Sequence, residues 1–155
     1  MARKKTAKPD SKPIPNIVPI PLPVATSGSC NVSAAPNVLV TSGKLITGTT
    51  LTSPSGRYIL GLQPDGVLEL RCGQNVVWKV GKSGSSGKAY LIIQTDGNLV
   101  LYMDQGVSQV PLWASGTFTS DVQRLRVDDN GNIILETATC LRQWASGTSN
   151  IPCGP

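Results

Sequence analysis

Three tryptophans mark out an internal repeat. Trp78, Trp113 and Trp144 lie 35 and 31 residues apart, and the last two open the identical string WASGT. Each closes a segment built on one plan: LQPDGVLELRCGQNVVWKVGK, IIQTDGNLVLYMDQGVSQVPLWASGT and VDDNGNIILETATCLRQWASGT. In every copy a strand leads into a polar turn with glycine, an aliphatic strand returns, and a loop brings the chain to tryptophan. Within IIQTDGNLVLYM the alternation has the period of β-structure. Its Asp96-Gly97 dipeptide breaks what would be one long strand into a hairpin. A copy this small cannot bury its own apolar face. Three copies therefore predict three equivalent sheets around one axis, with Trp78, Trp113 and Trp144 at the centre of a shared core.

Composition agrees with an all-β fold. Among 155 residues there are 16 glycines and 12 prolines with few charges, which favours turns over helix. The net charge of +5 is local, because Arg3, Lys4, Lys5, Lys8 and Lys12 against Asp10 put +4 in the first twelve residues. The body keeps only +1 and offers no stripe of cations for a nucleic-acid backbone. Residues 1–35 read as a basic, proline-rich extended arm and linker, and residues 36–155 as the folded domain. The five prolines of PIPNIVPIPLPVATSG do not suit the apolar helix of a signal peptide, and no run approaches the length of a membrane span.

The chain has no histidine, which removes Ser-His-Asp and Cys-His catalysis and the commonest metal ligand. No cofactor and no metal site are expected, and Asp128-Asp129 reads as a turn former. Cys30, Cys72, Cys140 and Cys153 lack zinc-like or redox spacing. Four cysteines allow three pairings. The pairing Cys140–Cys153 with Cys30–Cys72 is preferred because the first closes a short loop, and four reduced thiols are the alternative.

The hairpin turn should gather Gln94, Asp96, Asn98 and Tyr102 over the aliphatic Val100. A carboxylate accepts, amides do both, and a phenol does either, so such a cluster pairs adjacent sugar hydroxyls. These residues follow the pattern Gln-x-Asp-x-Asn-x-Val-x-Tyr, and in this the sequence resembles the bulb-type, or monocot mannose-binding, lectin family. NVLVTSGKLITGTTL, at residues 37–51, is similar to that family's N-terminal strand region. The resemblance covers residues 36–155 and implies a type II β-prism. That fold has three four-stranded antiparallel sheets with pseudo-threefold symmetry, up to one sugar site per sheet and no enzymatic activity. It further implies that Asp96 and Asn98 bond the 2-hydroxyl of mannose, Gln94 the 3-hydroxyl and Tyr102 the 4-hydroxyl, while Val100 packs on ring carbons. The first repeat keeps Gln63 and Asp65 but has Val67, Glu69 and Arg71 at the other three positions, so no mannose binding is expected there. The pair Glu69 and Arg71 is expected to link neighbouring strands. The third repeat, with Asp128, Asn130, Asn132, Ile134 and Glu136, is a degenerate site.

The favoured function is therefore recognition of a mannose-type or D-rhamnose-like glycan through one intact site. A shallow site of this kind binds at about 1 mM, and avidity then comes from several sites on one assembly. Strand exchange between copies is one route to that valency. A second reading makes the prism a decoration on a virion, secretion or toxin particle, docked by residues 1–35. A lectin-like bacteriocin is a third. Each places the protein outside the cell or on a particle surface.

Overall fold

The computed structural model describes residues 35–84 and 87–153. Cys30 and the rest of the arm before Ala35 lie outside the described residues. Within them the chain forms twelve strands and no helix. The strands are β1 (Val38–Val40), β2 (Lys44–Ile46), β3 (Thr50–Thr52), β4 (Tyr58–Leu62), β5 (Val67–Cys72), β6 (Asn75–Gly81), β7 (Lys88–Ile93), β8 (Leu99–Asp104), β9 (Gln109–Ala114), β10 (Val122–Val127), β11 (Ile133–Thr137) and β12 (Arg142–Ala145).

They make three four-stranded antiparallel sheets, ordered β3-β4-β5-β6, β2-β7-β8-β9 and β1-β10-β11-β12. Each repeat supplies three strands of one sheet. The fourth comes from residues 38–52, where Leu39, Leu45 and Leu51 fall six residues apart and each enters a different sheet. That stretch winds once around the molecule and joins the three repeats. Its spacing is a sequence signal that the repeat search passes over, because it does not resemble a hairpin.

The register shows how completely the repeats agree. Leu51, Leu60, Leu70 and Trp78 are partners across one sheet. Leu45, Leu91, Leu101 and Trp113 line up across the second. Leu39, Leu125, Leu135 and Trp144 do so across the third. A bulge follows each row, at Leu70/Arg71, Leu101/Tyr102 and Leu135/Glu136. The six leucines of the two inner strands are 0% exposed. The interior is therefore filled by leucine rows that meet at the axis.

The tryptophans differ from expectation in one respect. Their rings do meet, with centroids 5.8, 6.2 and 5.7 Å apart in edge-to-face contacts, as aromatic quadrupoles favour. Yet all three are only half-buried and pack against the fully buried cluster. They sit on β6, β9 and β12, the last strand of each sheet, so leucine covers them on one side only. The fully buried part of the core is mostly leucine.

The cysteine pairing is also corrected. Cys72 is bonded to Cys153, with Cα atoms 5.1 Å apart, which excludes both Cys140–Cys153 and Cys30–Cys72. Cys140 is itself disulfide-bonded. Loop length misleads here because β12 intervenes and carries the chain away from the β11–β12 turn that holds Cys140. The terminal segment returns to the first sheet, where Asn75 donates a 2.7 Å bond to the Cys153 carbonyl.

Candidate functional site

The middle repeat forms the predicted hairpin. Gln94 N donates to Asn98 O at 2.8 Å and Gly97 N to Gln94 O at 3.0 Å, closing a turn in which Gly97 takes φ 85°. A side chain on Gly97 would run into the Ser120 carbonyl, so glycine is required both by conformation and by space. Asp96 stabilises the turn by accepting the Asn98 N–H at 2.9 Å, and its side chain remains exposed.

Asn98 ends this turn, and β8, which follows it, carries Val100 and Tyr102 on the outer face of the sheet. Gln94 donates through Nε2 to the Tyr102 hydroxyl at 3.0 Å, so the first and last members of the signature touch. That bond leaves the amide oxygen of Gln94 to accept and the phenol proton to be given elsewhere. Val100 lies between them but is only 3% exposed, a floor more than an open contact. Tyr102 stacks on Tyr90 at 5.5 Å, and the Lys44 ammonium stands 4.2 Å from the Tyr90 ring centroid. Burial, followed by Tyr102 and Asp104 nearby, raises the Tyr90 phenol above its ordinary pKa.

Asn98 is held by residues that sequence reasoning passed over. Its Oδ1 accepts from Gly116 N at 3.1 Å and from Ser115 Oγ at 3.2 Å. Because Gly116 N–H can only donate, the amide oxygen must face it, and the Asn98 NH2 group points the other way. Ser115 also receives Leu99 N–H at 3.1 Å and contacts Thr117 Oγ1 at 2.7 Å, and Thr117 donates to Gly97 O at 2.8 Å. WASGT is thus a clamp on the turn. Its second copy does the same, with Ser146 donating to Asn132 Oδ1 at 2.9 Å and Thr148 to the Gly131 carbonyl. The duplicated string was the available signal, but it reads as a bare turn marker until its hydroxyls are placed.

The other two faces are consumed internally. In the third repeat Arg126 reaches both Asp128 and Glu136, and Arg124 also binds Glu136. Burial pushes the Glu136 pKa up, but hydrogen bonds from Arg126 and Arg124 outweigh it and hold the carboxyl below its ordinary range. Asn130 accepts the Asn132 N–H at 3.0 Å, and Asn132 and Ile134 are buried. In the first repeat Asp65 accepts from Ser83 at 2.6 Å and from Val67 N–H at 3.2 Å, which lower its pKa. Gln63 stands at the start of the same turn, its backbone N–H bonded to Val67 O at 2.8 Å. Glu69 and Arg71 form a 2.8 Å ion pair along one strand, two residues apart, and do not link neighbouring strands. Among the described residues no cluster of acidic or thiol groups is disposed to hold a metal ion.

A helix-free prism of three sheets, with a hydrogen-bonding cluster on one outer face, defines a lectin-type binding protein. A monomeric monocot mannose-binding lectin from Gastrodia elata superposes with a TM-score of 0.65 at 30% identity, over 73% of this chain and 98% of its own. The mannose-specific agglutinin of snowdrop, Galanthus nivalis, solved with methyl α-D-mannoside, gives 0.58 at 29% identity over 72% of this chain and 96% of its own. The B-type lectin plumieribetin of Scorpaena plumieri is 32% identical over 85 residues, which are 55% of this chain and 66% of that protein, just under two thirds of its length. No protein-family model matches. The chain belongs to the bulb-type lectin family, whose members bind carbohydrate without transforming it.

Proposed function

We propose that this chain is a mannose-type lectin, for mannose or a D-rhamnose-like sugar, acting through Gln94, Asp96, Asn98, Val100 and Tyr102. The observation that supports this most is the contrast among its three outer faces. Ion pairs occupy the first and third, while the middle one keeps an exposed carboxylate, an oriented amide and a phenol on one strand pair. Asn98, locked with its oxygen inward, offers donors. Asp96 offers acceptors. A sugar whose adjacent hydroxyls match this order pairs fully, whereas an epimer leaves a desolvated group unsatisfied. The snowdrop agglutinin is mannose-specific and the Gastrodia lectin mannose-binding, which supports the choice of sugar.

In this reading residues 36–155 are the lectin domain, residues 1–35 are an arm that attaches it to an assembly, and the protein works outside the cell or on a particle surface. Its disulfides suit an oxidising compartment. A glycan array with the chain pre-clustered tests the function. Mannose- or rhamnose-type signal that survives removal of residues 1–35 and disappears in Asn98→Ala is expected. Signal that persists in Asn98→Ala refutes the site.

A further inference from the structure

Beside the proposed site, on the same sheet, runs a groove of about 540 Å³ lined by Lys44, Thr47, Pro64, Lys88, Tyr90 and Asp104, among others. It is continuous with the site, because Tyr90 is stacked on Tyr102 and the pair Lys88 and Asp104 is the next outward-facing register step. Tyr102 and Asp104 are two residues apart on β8, about 7 Å at the rise of a strand. A neighbouring pyranose spans such a gap.

The groove lies beside the first repeat's turn, from which Pro64 lines it. Where the third repeat's turn meets the first sheet, Asp129 accepts the Ser55 N–H at 2.7 Å and closes the junction. The matching position in the first repeat's turn is Pro64, and there the neighbouring Asp65 makes the polar contact instead, to Ser83 in the β6–β7 segment. The groove's charge is distinctive. Lys44 and Lys88 make no ion pair among the described residues, and Asp104 is engaged by the Gly106 N–H at 2.9 Å. Two cations therefore face one carboxylate that retains lone pairs for a hydroxyl.

We infer that this groove binds the sugar next to the terminal one, and that this second sugar carries an anionic group, a carboxylate or a sulfate. The inference rests on the proposed site for its anchor. Lys44 and Lys88 meet the anion, Asp104 and Thr47 meet hydroxyls, and the paired charges strengthen the bonds.

Titration calorimetry of the full chain decides it, with methyl α-D-mannoside, a neutral mannosyl disaccharide, and that disaccharide bearing either a carboxylate or a sulfate on its second ring. At least one anionic form should bind about tenfold tighter than the neutral one, with an advantage that shrinks as salt rises. In Lys44→Gln/Lys88→Gln, and more weakly in Lys88→Gln alone, the advantage should vanish while methyl α-D-mannoside binds unchanged. The carboxylate and sulfate arms show which anion is preferred. Equal affinity for neutral and anionic forms, with methyl α-D-mannoside still bound, overturns the groove and leaves the site standing. An advantage that survives in the double variant also overturns it. Failure of methyl α-D-mannoside to bind the unaltered chain overturns the site itself.

Discussion

In the proposed site Asn98 would have two duties that the sequence motif does not separate. Its oxygen anchors the WASGT clamp and its NH2 group faces outward, so a loss at this position affects both turn and ligand. Ser115 separates them. Ser115→Ala should cost about 1 kcal/mol of stability through the lost hydrogen bonds. It should also weaken mannoside binding several-fold by freeing the Asn98 amide to rotate, measured by thermal unfolding and calorimetry together. Asn98→Ala should abolish binding. At Glu136 the effect is electrostatic: Glu136→Gln leaves Arg124 buried against a neutral partner and should cost about 3 kcal/mol. Because the folded Glu136 pKa is depressed, its stabilisation is complete above the unfolded value of about 4.3 and is lost as pH falls through the folded value. Thermal melts should therefore show a drop below about pH 4.3 that is smaller in Glu136→Gln.

At the scale of the element, the hairpin with its clamp is the unit that recurs. Gly97→Ala introduces a side chain at φ 85° against the Ser120 carbonyl. It should cost about 1–3 kcal/mol and remove mannoside binding, whereas Gly106→Ala, at φ 86° in open space, should leave binding intact. Denaturant unfolding paired with calorimetry distinguishes the two. The hairpins were legible because Asp-Gly-Asn and Asn-Gly-Asn between aliphatic runs have few other conformations. Their clamp was not, since whether Ser115 takes the Leu99 N–H and reaches the Asn98 side-chain oxygen depends on a strand 16 to 17 residues away.

For the whole molecule, the repeat spacing was enough to predict three sheets about an axis. It was not enough to assign the roles within them. The three tryptophan rings meet as the repeat predicts, but their place on each last strand leaves them half-buried. Leu39, Leu45 and Leu51 were unreadable as separate strands because three residues carry no periodicity of their own. The disulfide followed spatial return and not loop length. Cys72–Cys153 spans 81 residues of sequence, and its loss should cost about 4 kcal/mol in the chain-entropy account. Cys72→Ala/Cys153→Ala should lower Tm accordingly.

The central claim is that one face of the prism binds sugar while the other two are occupied by their own ion pairs. Titrating methyl α-D-mannoside into isotopically labelled full chain, followed by amide NMR shifts, tests it most directly. Saturable shifts confined to residues 94–102 and to Gly116, absent in Asn98→Ala, are predicted. Shifts centred on residues 63–71 or 128–136, or none at millimolar sugar, would contradict it.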